Sequence, residues 1–337
     1  IYSRARRAIM APNPEKLVIG FDLGGTNMTA GLVDGHLEVV DSVRMKTPAA
    51  SQADLLAGIL SMVRDLSSRA PAPVASVGFG IPSMIDQKRG RAIMSVNIPL
   101  ADFDFVDFMT GELELPVFID NDANVAALAE VRAGAGKGAR QVIMITMGTG
   151  IGGGIIIDGQ IYRGAVGSAG ELGHMVIAAN GPRCQGACEN HGCFETMASG
   201  TALARYAAEI AAQQPDSTLG QAAAAGENLD GALLSRLAEE GDPAALAVYK
   251  KIGFYTGVGM TSLVNIFNPE VFVVGGGLIQ AGEMILGPAR QILLSRGLRP
   301  NRDIVKVVPA AFGLDAGMLG AACLALDGLA DKAKNIQ

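Results

Sequence analysis

The sequence predicts an α/β protein whose two halves face one another. An internal repeat is the first sign. Sliding the chain by 124 residues lays "IGFDLGGTNMTAGLVDGHL" at 19–37 over "IMITMGTGIGGGIIIDGQI" at 143–161 without a gap. Gly24 then falls on Gly148, Asp34-Gly35 on Asp158-Gly159, Ile19 on Ile143 and Leu32 on Ile156. Glycine is the second sign: 44 of 337 residues, about twice its average share of roughly 7 %. No collagen period explains the excess, so it points to tight turns and close backbone approach to a ligand. The third sign is the mixture of short β-rich apolar runs with longer helical patterns in both halves.

Each copy of the repeat reads as strand, glycine turn, strand, Asp-Gly turn, strand, because Asp-Gly between apolar runs signals a hairpin. "VASVGFGIPS" at 74–83 and "PVFID" at 116–120 are further strands of the first half, and "ANVAALAEVRAG" at 123–134 is a helix. Segments 201–214 and 231–267 supply helices of the second half, 271–278 a late strand and turn, and 315–329 a closing helix. No Pro- or Ser-rich linker marks a boundary. The opening "IYSRARRAIM" carries three arginines without the apolar core of a secretory signal. Residues 1–15 therefore read as a tail, with Met10 a candidate natural start.

Hydrophobic residues make up 49 % and charged residues 18 %, which suits a large core and opposes disorder. The net charge of −6 disfavours nucleic acid as the main partner, since phosphate backbones require a basic face. No uninterrupted apolar run reaches the roughly 18 residues of a membrane span; the nearest, 311–330, holds Asp315 and Asp327. Four cysteines do not make a secreted disulfide scaffold in so long a chain. Cys323, alone in an apolar helical pattern, reads as core.

Gly148, Gly150 and Gly153 have GxGxxG spacing after the apolar run 142–145. A dinucleotide fingerprint requires a helix to start there. Here the glycines are followed by "IIIDGQI", which is β-branched and then turns, so they form a hairpin. "GAGKGA" at 134–139 is not a Walker loop either, because Val131 stands where its first glycine would fall. Two glycine hairpins in two halves can offer concave arrays of N–H groups to one phosphate-bearing ligand.

"FDLGGTN", "FIDNDANVAALAE", "TMGTGIGGGII", "ELGH", the Cys cluster ending "GCFE" and "VFVVGGGL" occur in the order found in the ROK family of sugar kinases. The resemblance runs from about residue 17 to 325. It implies an actin-like, hexokinase-like (ribonuclease H-like) fold of two α/β domains around a cleft. The smaller would be 16–124 plus 311–337, the larger 125–310 with a zinc loop. It further implies a cytoplasmic kinase using ATP, Mg²⁺ and a hexose, without nucleic acid or membrane partners, assembled as a homodimer or homotetramer.

Phosphoryl transfer to a sugar hydroxyl calls for a carboxylate that accepts the hydroxyl proton. Asp122, just past an apolar strand, matches the family's base; alternatively it caps the following helix, a role Asp120 and Asn124 could also fill. Asn121 would hold a sugar hydroxyl. Asp22 matches the position near Mg²⁺ and the transferred phosphate. Gly24, Gly25, Thr26 and Asn27, with Thr149 and Gly150 in the second hairpin, match the phosphate loops. Many relatives carry Lys in place of Asn27. Gly275 and Gly276 look like the adenosine-side loop.

His174, Cys184, Cys188 and Cys193 offer one imidazole and three thiolates, a closed four-ligand set of the structural zinc type. Three residues separate Cys184 from Cys188, where the family commonly has one, and His191 is an alternative ligand. His36 reads as an exposed turn residue. In the family Glu171, His174 and Glu195 grip sugar hydroxyls, with Asn97 from the first domain; such side chains suit a polyol, whose hydroxyls both donate and accept. The reading is ATP-dependent phosphorylation of a hexose, glucose first. Mannose, fructose, N-acetylglucosamine and N-acetylmannosamine are alternative substrates, and a sugar-sensing ROK transcriptional regulator is the distant rival. Regulators carry a DNA-binding domain ahead of the kinase-like part, and "FDLGGTN" already starts at residue 21.

Overall fold

The repeat folds twice into the same strand order. In the computed structural model, residues 16–95, 97–186 and 188–335 are described; the expected tail lies outside them. The first half runs β1 (Leu17–Leu23), β2 (Asn27–Val33), β3 (Val39–Lys46), α1 (Gln52–Arg69), β4 (Val74–Ile81), β5 (Ser83–Asp86), β6 (Arg91–Ser95), β7 (Ala101–Phe103), α2 (Phe105–Leu113), β8 (Val117–Asn121) and α3 (Asp122–Arg132). The second runs β9 (Val142–Met147), β10 (Ile151–Ile157), β11 (Gln160–Ile161), α4 (Phe194–Ala198), α5 (Gly200–Gln213), α6 (Thr218–Ala224), α7 (Gly231–Glu239), α8 (Pro243–Phe267), β12 (Val271–Gly275), α9 (Glu283–Arg296), α10 (Asn301–Ile304), β13 (Lys306–Pro309) and α11 (Ala316–Asn335).

One sheet has the order β3-β2-β1-β4-β8 and the other β11-β10-β9-β12-β13. In both, the hairpin strands are antiparallel and the last two pair parallel. A small third sheet, β5-β6-β7, extends the first half. The helices follow from local sequence. Ser51 caps α1 by accepting from the Asp54 N–H at 3.1 Å, and Leu55, Ile59, Met62, Val63 and Leu66 bury one stripe. Asp242 caps α8, Pro243 opens it, and Asn268 in the left-handed region ends it.

Two details depart from the sequence expectation. The repeat aligns without a gap, yet the hairpins differ in register by one residue. Leu23 pairs with Met28 in the first, whereas Met147 pairs with Ile151 in the second. The two Asp-Gly turns differ as well. Asp158 and Gly159 both have positive φ, 54° and 78°, as a tight two-residue hairpin requires. In the first half Leu37 takes positive φ, at 68°, and the Asp34 carboxylate accepts from the N–H groups of His36 and Glu38 at 2.8 and 2.9 Å. That is a longer Asx-stabilised turn.

α3 and α11 lie between the two sheets and against each other. α11 packs on β1, β4 and β8, as the resemblance implied for the closing helix, and α3 packs on β10 and β9. By length and mean hydropathy the helix Gly313–Lys334 would also suit a membrane span, although its apolar run is interrupted by Asp315 and Asp327, as expected from the sequence. Its place between β1, β4 and α3 makes it a core helix. Cys323 is buried in it, as expected.

Candidate active site

β1, β4 and β8 run parallel, so Asp22, Gly80 and Asp120 lie side by side in register near their C-terminal ends. Ligand sites of open α/β sheets collect at such ends. A Cβ on Gly80 would come within 2.5 Å of Val125 Cγ2 and 3.5 Å of Asp122 Cα. Glycine there lets the start of α3 settle over β4. The cap of α3 is neither Asp120, Asp122 nor Asn124. It is Asn121, whose Oδ1 accepts from the N–H groups of Ala123 at 2.9 Å and Asn124 at 3.4 Å. Capping occupies the oxygen of the side chain that the resemblance assigned to a sugar hydroxyl; its Nδ2 lies 3.5 Å from the Ser83 carbonyl. Asp122 shares that work, its Oδ1 accepting from the Ala123 N–H at 2.8 Å. Burial, reinforced by the Glu171 charge, pushes its carboxyl above the ordinary range. Asp22 is pushed up to about 7, first by burial and then by the nearby Asp122, with Arg44 opposing. The Gly317 backbone of α11 closes over the Asp22 carboxylate, leaving no room there for a Cβ.

The first glycine loop closes through Gly24 N–H to the Asn27 carbonyl at 3.1 Å, and Thr47 binds it twice, at the Gly24 carbonyl (2.6 Å) and the Thr26 carbonyl (3.0 Å). Gly25 and Thr26 are exposed. Asn97 backs Gly25, its Cβ 2.9 Å from where a Gly25 Cβ would lie. In the second loop Gly148 N–H reaches the Gly150 carbonyl at 3.0 Å, and the start of α5 holds it through Gly200 N–H to the Gly148 carbonyl (2.8 Å) and Thr201 Oγ1 to the Thr149 carbonyl (2.9 Å). Gly275 pairs with Thr146 beside it, and Gly276, at φ 87°, sits against the Met147 backbone. The structure thus brings Thr149, Gly150, Gly275 and Gly276 to the C-terminal ends of β9 and β12.

Glu171 is exposed and starts a 3-10 turn over Leu172–His174. Glu195, in the first turn of α4, is 8 % exposed. Its Oε2 accepts from Ile151 N–H at 3.4 Å, while Oε1 receives the Cys184 thiol at 3.2 Å and lies 3.8 Å from His174 Nδ1. The metal-ligating atoms of His174, Cys184, Cys188 and Cys193 all lie within 4.8 Å of one another. Cys184 Sγ is 3.5 Å from His174 Nδ1, and Cys188 Sγ is 3.9 Å from Cys193 Sγ. Tetrahedral zinc with bonds of about 2.3 Å to sulfur and about 2.0 Å to nitrogen sets sulfur–sulfur edges near 3.8 Å and sulfur–nitrogen edges near 3.5 Å. The cluster fits that ion, and the longer spacing leaves Cys184 in place. His191 points away and bonds the Gly181 carbonyl at 3.3 Å. Burial raises the Cys184 and Cys193 thiols, while the Asn190 N–H lowers Cys188. His36 is exposed, as expected.

Sequence reasoning missed two buried acids. Asp120, weighed only as a cap, is fully buried and bound by Arg163 Nε at 2.6 Å. Glu130 is fully buried and accepts from the N–H groups of Ala135, Ala311 and Phe312 at 2.7, 2.9 and 3.0 Å. It ties together the segments that follow α3 and precede α11. Nothing local marks either partner set, because each is joined across long stretches of chain.

The sequence model of the ROK family matches residues 18–328. The chain belongs to the ROK family. It is 35 % identical over 316 residues to the glucokinase of Streptomyces coelicolor, covering 92 % of this chain and 97 % of that one. A crystal structure of a ROK family glucokinase from Streptomyces griseus, in complex with glucose and AMPPNP, superposes with a TM-score of 0.78 at 36 % identity, covering 92 % of this chain and 99 % of that one. The xylose repressor of Bacillus spizizenii is 29 % identical over 337 residues, covering 98 % of this chain and 83 % of that one. The fold is the actin-like, hexokinase-like α/β class that the sequence predicted.

Proposed function

We propose that this ROK protein transfers the γ-phosphoryl group of ATP to the 6-hydroxyl of a hexose, glucose first. The observation that carries the reading is Asp122: a carboxylate on the first residue of α3, beside the strand ends, near Asp22 and Glu171, with its proton affinity raised by burial. The likeness to a glucokinase crystallised with glucose and AMPPNP supports it.

Asn97, Asn121, Glu171, His174 and Glu195 hold the sugar. Asp122, made more basic by burial, accepts the hydroxyl proton as the oxygen attacks in line. Gly24, Gly25, Thr26, Asn27, Thr149 and Gly150 hold phosphates, and Gly275 and Gly276 the adenosine side. Asp22 and Asp122 are neighbouring carboxylates both disfavoured as anions, a donor set suited to a hard divalent cation. Mg²⁺, when bound, neutralises the β- and γ-phosphates, and Asp22 is placed to hold it. Zinc, held by His174, Cys184, Cys188 and Cys193, is structural, since four protein ligands close its shell. With the metal on Nδ1, the Nε2 of His174 is left for the sugar. The units 16–124 with 311–337 and 125–310 close on the substrates and exclude water; a smaller radius of gyration with glucose in small-angle scattering tests this.

Reduced thiols persist in the cytoplasm, which supports that compartment. Exposed Ile266, Leu294 and Ile304 on neighbouring α8, α9 and α10, with Leu298 in the loop between α9 and α10, support a homodimer or homotetramer, checked by sedimentation. The deciding experiment is phosphorylation across glucose, mannose, fructose, N-acetylglucosamine and N-acetylmannosamine with ATP, GTP and polyphosphate. Glucose with ATP should give the highest kcat/KM. Sugar binding without transfer from any donor would favour the regulator reading instead.

A further inference from the structure

We propose that Arg163 is a positioning residue, which acts through buried Asp120 to hold Asp122 and the Glu171 loop in one arrangement. The proposal rests on the kinase reading above. Asp120 has no exposed surface and so has no route to a substrate. Its Oδ2 accepts from Arg163 Nε at 2.6 Å. Its Oδ1 accepts from the Asn121 N–H at 2.8 Å and from Asn124 Nδ2 at 2.9 Å. Asn121 is the cap of α3, Asp122 its first residue and Asn124 is on its first turn. One carboxylate therefore fixes the end of β8 and the start of α3 together, on either side of the proposed base.

Arg163 reaches Asp120 from the other half of the repeat. It follows β11, at the head of the segment that leads to Glu171. That segment is pinned elsewhere by close backbone approach: Gly167, at φ 90°, abuts the Ile85 carbonyl of β5, and Gly170, at φ 99°, lies against the Gly153 carbonyl and near Asn124 Oδ1. Asn124 Oδ1 is itself buried without a hydrogen-bond partner. Arg163 is thus the charged side chain by which the sugar-side loop grips the strand end carrying the base. A buried carboxylate left without its cation is strongly disfavoured, so the pair does not part at little cost. Displacement of a reacting group by about 1 Å can cost on the order of 10²-fold in rate.

The test compares Arg163→Met with the double variant Arg163→Met/Asp120→Asn, which removes the unpaired charge as well. Arg163→Met should lower kcat by roughly 10²-fold while the KM for ATP changes by less than about threefold. The double variant should regain thermal stability but not kcat. Recovery of kcat together with stability would show Arg163 to be only a charge partner and overturn the proposal. A second readout does not depend on which reaction the protein performs. In the ligand-free protein, amide hydrogen exchange at 121–124 and at 164–171 should accelerate together in Arg163→Met. Faster exchange at 164–171 alone would refute the coupling even if sugar phosphorylation is confirmed. Joint acceleration in a protein that phosphorylates no sugar would refute the kinase reading and leave the coupling standing.

Discussion

The two sheets share strand order and a gapless sequence repeat, yet in the proposed reading one carries the chemistry and the other shapes the pocket. Asp22 of β1 falls on Thr146 of β9, so both carboxylates of the proposed transfer site come from the first half. The second half spends its hairpin differently. After a β3 of eight residues the first half turns into α1, whereas β11 has two residues and gives way to the loop that bears Glu171, His174 and the cysteines. The one-residue register offset has a physical reason. In the first sheet Gly31 lies opposite Gly20, and α11 sits on both. In the second, Gly154 lies opposite Met144, and α3 sits on it. A gapless alignment would put Ile155 in the place of Gly31. The offset puts Gly154 there, so each sheet offers a glycine where a helix must lie close. Equivalent sequence positions are not equivalent structural ones, because helix packing outweighs turn length.

The comparison is broken most severely at the base. Asp122→Asn should lower kcat by at least about 10²–10⁴-fold while glucose still binds by calorimetry. A variant keeping a tenth of the wild-type kcat would remove Asp122 from the role.

The second half's part in the site is tested at the metal. Cys193→Ala should abolish bound zinc, measured by elemental analysis. The KM for sugar should rise more than about tenfold, since structural zinc contributes on the order of 10 kcal/mol or more to such loops. The KM for ATP should change less, because Thr47 holds the first glycine hairpin and Gly200 and Thr201 the second; the zinc loop touches only the second, through Gln185 to the Thr149 carbonyl at 3.5 Å and Glu195 to the Ile151 N–H at 3.4 Å. A wild-type protein without zinc, or equal loss of both affinities, would end this account.

Two glycines sharpen the packing argument. A Gly154 Cβ would stand 2.6 Å from Ala127 Cβ and 2.8 Å from the Ala123 carbonyl, whereas a Gly148 Cβ would meet nothing within 4 Å. Gly154→Ala should destabilise by about 1–3 kcal/mol, and Gly148→Ala by less than about 0.5 kcal/mol, read by denaturant titration.

The effect confined to one pH range concerns Asp22, whose folded pKa is raised to about 7 from 3.8. The folded state then holds this proton more tightly than the unfolded state. Stability contributed by the group is full below pH 3.8 and falls as pH rises toward 7. Asp22→Asn should therefore stabilise the ligand-free protein more at pH 8 than at pH 5. An equal gain at both values would show that Asp22 titrates normally.

Local signals determined much by themselves. The hairpins, the helix periodicities and the cysteine cluster are legible because their residues lie within a few turns of one another; His174 to Cys193 is one short loop. The likeness of "FDLGGTN" and "FIDNDAN" to the ROK pattern pointed to Asp22 and Asp122. Tertiary structure alone decided that Asn121 caps α3 and that Arg163 neutralises Asp120. It also decided that Glu130 binds both segments joining the halves, and that α11 lies between the first sheet and α3. The physical reason is range. A cap, a turn or a period is set by neighbours a few residues away, whereas a buried charge takes whichever distant donors the packed sheets bring to it.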